Sequence, residues 1–117
     1  MDLFTALGGS TPAFLAIFVE SLVDAAVAMG FGREDARTVV AMVVRGTGGL
    51  LVGGEHPALL KDRGTSPAGC TMGGIMVLEE GGVRGVVGRA LREAVTVAGE
   101  MGVQGLRRVG GVNGMRK

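Results

Sequence analysis

The chain has 117 residues, of which 47% are apolar, and its 12 basic and 11 acidic side chains leave a net charge of +1. A nearly neutral chain without Trp or Tyr lacks the electric field and the stacking surface that nucleic-acid binding needs, so we predict no nucleic-acid partner. One Cys excludes an internal disulfide, and with one His it argues against a metal site, so we predict no metal.

The first strong helix signal begins near Ser10 or Thr11, either of which is a suitable cap, and Pro12 suits a first helical turn. Apolar residues then recur at helical spacing and predict a buried face. These residues are Phe14, Ile17, Phe18, Leu22, Ala25, Ala26 and Met29. Gly30 is expected to end this helix.

The longest uncharged stretch covers residues 3–19, and it contains Gly8, Gly9, Ser10 and Pro12. A membrane-spanning helix needs about 18 or more consecutive apolar residues, which this stretch does not offer. The start of the chain also lacks the basic segment of a secretory signal. We therefore predict no membrane span and a cytoplasmic location.

A second long helix is predicted after Glu34 and Asp35, which are favourable in a first helical turn. Its expected apolar face comprises Ala36, Val39, Val40, Val43, Val44, Leu50 and Leu51. The glycine cluster at residues 46–49 is not a dinucleotide-binding motif, because Leu51 stands where a third glycine is required and no strand precedes it. The cluster predicts close helix packing, and we assign no cofactor-binding residue.

The remaining pattern predicts three more helices. A short one covers residues 56–61, a further one covers residues 71–78, and the last one covers about residues 83–101. Residues 1–103 are thus predicted to form one all-α helical bundle. Residues 104–117 are glycine-rich and basic, and we predict that this tail is disordered.

The segment that we call the 65–72 segment lies between two of these helices and reads Thr-Ser-Pro-Ala-Gly-Cys-Thr-Met. Pro67 fixes its own φ, the small residues after it allow close backbone approach, and Thr71 is well placed to cap the next helix. Backbone amides at a helix N-terminus favour a carboxylate or a phosphate. The alternative is an ordinary loop that ends in a helix cap.

The 65–72 segment, together with the Lys-Asp-Arg sequence at residues 61–63, resembles the C-terminal signature of pyrroline-5-carboxylate reductases. The resemblance continues at residues 77–85, Val-Leu-Glu-Glu-Gly-Gly-Val-Arg-Gly. It is also present at residues 5–14, Thr-Ala-Leu-Gly-Gly-Ser-Thr-Pro-Ala-Phe. It therefore covers residues 1–103, which correspond to the dimerisation domain of that family.

This resemblance implies an all-α fold of the 6-phosphogluconate-dehydrogenase type that forms an intertwined homodimer or a larger oligomer of dimers. In that family a separate Rossmann domain binds NAD(P)H, and the substrate is a cyclic imine with a carboxylate that is reduced to proline. We therefore expect no cofactor on this chain alone, and NAD(P)H only where a separate nucleotide-binding protein is supplied.

The resemblance also implies roles for individual residues. Ser66 matches the serine that holds the substrate carboxylate, and Gly69 and Cys70 match positions whose amides line the pocket. Thr71 matches the catalytic threonine at the imine nitrogen, described as a proton donor. A threonine hydroxyl is a poor acid, so orientation of a water or a protonated iminium is the alternative. Ala68 is a substrate-binding position where the family has glycine, and its methyl is unfavourable if φ is positive.

Three functions remain open at this point. The chain is expected to be the dimerisation and substrate-binding part of a reductase, unable to transfer hydride alone. One alternative is a stand-alone, cofactor-independent enzyme that uses the same pocket for cyclisation, condensation or isomerisation, and the start of the sequence at the domain boundary favours a stand-alone product. The other alternative is a dimerisation module without catalysis.

Overall fold

A computed structural model describes the backbone of residues 2–110 and the side chains of residues 3–101. These residues form no strand and six α-helices: α1 (Asp2–Gly9), α2 (Thr11–Ala28), α3 (Arg33–Val52), α4 (Pro57–Arg63), α5 (Cys70–Glu80) and α6 (Val83–Gly110). The all-α prediction is confirmed for this part of the chain. The helices fall into two compact units, one with the described residues up to Phe14 and from Arg84 onward, the other with Leu15–Val83.

Within the Leu15–Val83 unit, α2 and α3 form an antiparallel hairpin. At the start of α3, Arg33 Nη1 donates a hydrogen bond to Asp24 Oδ1 near the end of α2, at 2.9 Å. Earlier in α2, Val19 lines the same groove as Arg37, which lies further along α3. The end of α2 thus meets the start of α3, and an earlier residue of α2 lies near a later residue of α3. This order is expected of two antiparallel helices that are joined by a tight connection.

The turn between α2 and α3 depends on a glycine with a left-handed backbone. Gly30 has a φ of +104°, and its amide donates to the Val27 carbonyl at 2.9 Å. The Phe31 amide donates to the Ala26 carbonyl at 2.9 Å. This pair of bonds satisfies the last carbonyls of α2 and confirms that Gly30 ends the helix.

We expect Gly30→Ala to destabilise the fold by about 1–2 kcal/mol, because an L side chain at positive φ is strained. No atom lies within 4 Å of the added Cβ, so φ alone causes the loss. The control is Gly85→Ala in α6, where the new Cβ meets Arg89 Nη1 at an ordinary 3.8 Å and helix propensity improves by up to about 1 kcal/mol. Urea unfolding measures both, and equal effects of the two substitutions would contradict the role of φ.

One helix was not predicted, and the ends of several others differ from the sequence prediction. The helix α1 was not predicted, and it ends where the Ser10 amide donates to the Ala6 carbonyl at 2.8 Å. The helix α6 continues to Gly110, whereas the sequence predicted an end near Met101. Single glycines in its last turns each cost about 1 kcal/mol, which does not end a helix that has no proline. Residues 104–110 thus belong to α6 and not to the disordered tail predicted from residue 104 onward. Residues 111–117 lie outside the described residues, so their predicted disorder stays a prediction.

The apolar side of α3 is only partly covered within the described part of the chain. Ala36, near its start, is buried and Val40 is half-buried. We call the exposed apolar residues Val39, Met42, Val43 and Leu50 the outer face, and their side chains are between 49% and 61% exposed. Together with Ala36 and Val40 they follow the spacing of three and four residues that defines one side of a helix.

Apolar exposure extends beyond α3. Among the described side chains only Ala6, Val23 and Ala36 are buried. On α2, the face that the sequence predicted to be buried is largely exposed, with Ile17 65% exposed. The chain by itself therefore does not cover the apolar faces of its long helices, although soluble proteins rarely expose large contiguous apolar patches.

One stretch, Leu3–Ala28, is long and apolar enough to cross a membrane, with a mean hydropathy of 1.6. Only 6% of its most apolar part is buried within the chain. Length and composition are the whole basis of this observation, and an apolar helix that is covered by another protein chain has the same properties. The sequence-based prediction of no membrane span stays a prediction.

Candidate functional site

The short helix α4 leads into the 65–72 segment and is stabilised at both ends. His56, at its N-cap, accepts a hydrogen bond at Nδ1 from the Ala58 amide at 3.1 Å. Arg63 Nη2 and Glu55 Oε2, which lie at opposite ends of the helix, form an ion pair at 2.7 Å. The single histidine of the chain thus has a structural role as a helix cap, as the predicted helix start at residues 56 and 57 implied.

Thr65 belongs to the end of α4. Its hydroxyl donates to the Asp62 carbonyl at 2.8 Å, and its amide donates to the same carbonyl at 3.2 Å. These bonds satisfy one of the carbonyls that a helix C-terminus leaves without partners. The first hydroxyl of the 65–72 segment is therefore engaged by the protein itself.

The next four residues form a β-turn. The Gly69 amide donates to the Ser66 carbonyl at 3.1 Å, and Ala68 has a φ of +60°. Because the ring of Pro67 holds φ negative at the second position, a positive φ at the third position defines a type II turn. Glycine is the usual residue there, so Ala68 costs about 1 kcal/mol or more. Ala68 is the one non-glycine residue with positive φ among the described residues. The condition under which the sequence analysis expected its methyl to be unfavourable is therefore met.

The turn brings the Ser66 side chain against Gly69. A Cβ built on Gly69 would lie 2.6 Å from Ser66 Oγ and 3.2 Å from the Ser66 carbonyl oxygen. No real Cβ tolerates the first distance, so glycine at position 69 is what leaves room for the Ser66 hydroxyl. Since Gly69 is the N-cap of α5, this hydroxyl lies at the start of that helix.

The start of α5 differs in detail from the prediction. Gly69 is the N-cap, with φ −84° and ψ 168°, and α5 begins at Cys70. The prediction that Thr71 caps the helix is therefore wrong, because Thr71 is already its second helical residue. No side chain caps this end, so the amides of Cys70, Thr71 and Met72 have neither a cap nor a helical carbonyl as acceptor.

The hydroxyls of Ser66 and Thr71 are both exposed and make no hydrogen bond to other described residues. Two hydroxyls within other helices do bond the helix backbone. Ser21 donates to the Ile17 carbonyl at 2.9 Å, and Thr96 donates to the Arg92 carbonyl at 3.0 Å. Thr71 has no such option, because four residues before it lies a turn and not a helix.

The residues predicted for the site thus lie together in one continuous loop and helix start. Ser66, Gly69, Cys70 and Thr71 are joined by the turn, and Ala68 sits at its strained position. Cys70 is a free, exposed thiol. Within the described residues, no group of three His, Cys, Asp or Glu side chains is arranged to hold a metal ion.

The glycine cluster at residues 46–49 lies inside α3. It therefore has no strand before it and no turn that opens a helix, both of which a dinucleotide-binding loop requires. Within the described residues the cluster does not fit a nicotinamide cofactor. Among the described residues, no atom outside the backbone of α3 itself lies within 4 Å of a Cβ added to Gly46, Gly48 or Gly49, so no packing between these residues accounts for the three glycines.

Comparison with known proteins identifies the same family that the 65–72 segment resembles. The family model described as pyrroline-5-carboxylate reductase dimerisation matches residues 1–101. The chain belongs to this family. The model is that of the dimerisation domain, so the NADP-binding domain of these reductases lies outside this chain.

Individual relatives give the same result. The chain is 56% identical to a pyrroline-5-carboxylate reductase of Lophium arboricola over 99% of its own length and 35% of the relative. It is 48% identical to that of Neurospora crassa over 95% of this chain and 33% of the relative. The chain thus spans about a third of the relatives that it matches.

A solved structure confirms the fold. A Plasmodium falciparum pyrroline carboxylate reductase with NADP bound superimposes with a TM-score of 0.82 at 34% identity. The match covers 87% of this chain and 41% of the solved one. The predicted likeness to the helical C-terminal domain of these reductases is therefore confirmed.

Proposed function

We propose that the chain provides the dimerisation and substrate-binding part of a pyrroline-5-carboxylate reductase. In this proposal two copies associate through exposed apolar helix faces in an intertwined dimer. The 65–72 segment binds the carboxylate of a cyclic imine, and the hydride comes from a nucleotide-binding part outside this chain.

The dimer is supported by the outer face of α3. The apolar side of a helix in a soluble protein is ordinarily covered by another surface. Ala36 is buried, whereas none of the described residues buries Val39, Met42, Val43 or Leu50. Since the family is a dimerisation domain, a second copy is the occupant that this face fits.

The carboxylate site is supported above all by the position of the Ser66 hydroxyl at the uncapped start of α5. Amides without acceptors at a helix N-terminus carry partial positive charge and favour an anion. Gly69 keeps that position open, and Ser66 Oγ lies within van der Waals reach of it. The carboxylate would replace the missing side-chain cap and accept hydrogen bonds from the Cys70 and Thr71 amides and from Ser66.

Thr71 follows Cys70 in α5, so its hydroxyl lies next to the amides at the start of that helix. In this proposal the Thr71 hydroxyl contacts the ring nitrogen of a ligand whose carboxylate occupies the helix start. Because a threonine hydroxyl is a poor acid, its contribution is to orient the imine or an associated water rather than to donate its own proton. The described residues do not fit a dinucleotide, and no step through NAD(P)H is assigned to them.

The test is binding of L-proline, which carries the carboxylate and ring nitrogen of the proposed ligand. We expect the chain to bind L-proline, with amide shifts in NMR spectra at Gly69, Cys70 and Thr71. Ser66→Ala is expected to weaken binding about tenfold, because it removes a hydrogen bond to a charged group. Thr71→Ala is expected to weaken it about fivefold through loss of a weaker bond.

The controls are Thr96→Ala, which removes a helical threonine hydroxyl elsewhere, and pyrrolidine, which lacks the carboxylate. Thr96→Ala should bind L-proline as the parent chain does, and pyrrolidine should not shift these amides. Unchanged affinity in both Ser66→Ala and Thr71→Ala would refute the site. Turnover of a cyclic imine without NAD(P)H would instead favour the cofactor-independent enzyme.

A further inference from the structure

Ala68 occupies the position that decides which turn the 65–72 segment adopts. Two turn types are compatible with Pro67 at the second position, because its φ of about −65° suits both type I and type II. They share the hydrogen bond from the Gly69 amide to the Ser66 carbonyl, which is 3.1 Å here. They differ in the peptide between residues 67 and 68, which is flipped, and in the sign of φ at residue 68.

The structure shows the type II turn, with Ala68 at φ +60°. Glycine at this position would adopt either sign of φ with similar ease. Alanine favours the negative φ of a type I turn, and a β-branched residue favours it still more strongly. The turn that is present is therefore the one that the alanine methyl disfavours.

We propose that Ala68 makes the 65–72 segment a two-state turn and sets the population of its ligand-binding form. Type II is the binding form, because in the structure it places the Ser66 hydroxyl at the start of α5. Type I is a minor form, in which the Pro67 carbonyl and the Ala68 amide exchange sides. A carboxylate that binds the type II turn draws the population towards it. This inference rests on the proposed carboxylate site.

The test compares glycine, alanine and valine at position 68 in the ligand-free chain. Ala68→Gly and Ala68→Val are expected to shift the Cys70 and Thr71 amide resonances in opposite directions along one line, because the two forms exchange rapidly. The same two substitutions at Ala41, an exposed position within α3, serve as control and should leave these resonances in place. If the Cys70 and Thr71 amide shifts of the two position-68 variants do not fall on one line, the two-state turn is overturned.

Affinity for L-proline should follow the same order. Ala68→Val is expected to weaken binding about tenfold, and Ala68→Gly should bind at least as tightly as the parent chain. Wild-type affinity in Ala68→Val, or lost affinity in Ala68→Gly, would overturn the assignment of type II as the binding form. Collinear shifts without any L-proline binding would refute the carboxylate site and leave the two-state turn standing.

Discussion

Val43→Glu is expected to convert the dimer into unstable monomers. Val43 is 60% exposed on the chain and lies within the outer face of α3, with Val39 and Met42 beside it. If a second copy covers this face, the substitution places an unpaired carboxylate in the interface, which costs about 3–5 kcal/mol. Light scattering should change from twice the 11.8 kDa of the chain to once that mass. Thermal unfolding should lose most of its dependence on protein concentration.

The matched control is Arg45→Glu, on the same helix. Position 45 lies about 200° around the helix from position 43, and Arg45 is exposed on the polar side. The same new carboxylate should remain in solvent there and leave the dimer intact. A parent chain that is already a stable monomer, or a Val43→Glu dimer as stable as the parent, would contradict the role of the outer face.

Gly69→Ala is expected to weaken L-proline binding at least about tenfold while it leaves the helices folded. The added Cβ lies 2.6 Å from Ser66 Oγ, so the hydroxyl must rotate away from the start of α5. The Ser66 carbonyl oxygen at 3.2 Å must also shift slightly. We expect a stability loss of about 1 kcal/mol, at the lower end of the overpacking range, because a hydroxyl rotates easily. Calorimetry should show binding at least about tenfold weaker, because a hydrogen bond to a charged group is lost.

Two further variants separate these effects. Gly73→Ala adds a methyl to α5 where no atom lies within 4 Å, and it should bind L-proline normally. Ser66→Ala combined with Gly69→Ala removes the 2.6 Å clash, so stability should recover in part while L-proline binding stays weak. Normal binding in Gly69→Ala would show that the space beside Ser66 is not used by the ligand.

Helix positions were predictable where local signals are strong. Glu34 and Asp35 in a first turn, Gly30 at positive φ and Pro57 after His56 each specify a boundary through local backbone chemistry. The helix α1 and the long end of α6 were not predicted, because glycines in both stretches weaken the local signal. Their helical state rests on a sum of small terms that single-residue rules do not decide.

The site was predicted as a segment but not in its detail. The residue types indicated an anion-binding helix start, and the turn of residues 66–69 with the uncapped α5 is consistent with it. Which residue caps the helix depends on backbone angles, so Gly69 rather than Thr71 takes that place. The engagement of the Thr65 hydroxyl by the Asp62 carbonyl likewise depends on where α4 ends.

The outer face of α3 shows a different limit. Periodicity identifies Val39, Val40 and Val43 as apolar positions but not the surface that each one meets. Only the structure shows that Ala36 is buried within the chain whereas Val39 and Val43 are exposed. Met42, interpreted from the sequence as core filler, is 61% exposed on the outer face.

The most direct measurement is a crystal structure of the chain grown with L-proline. We expect one carboxylate oxygen within about 2.6–3.2 Å of Ser66 Oγ and of the Cys70 or Thr71 amide nitrogen, with the ring nitrogen towards the Thr71 hydroxyl. Two copies should meet through the outer faces of α3. L-proline bound elsewhere, with the start of α5 occupied by solvent alone, would contradict the proposed site.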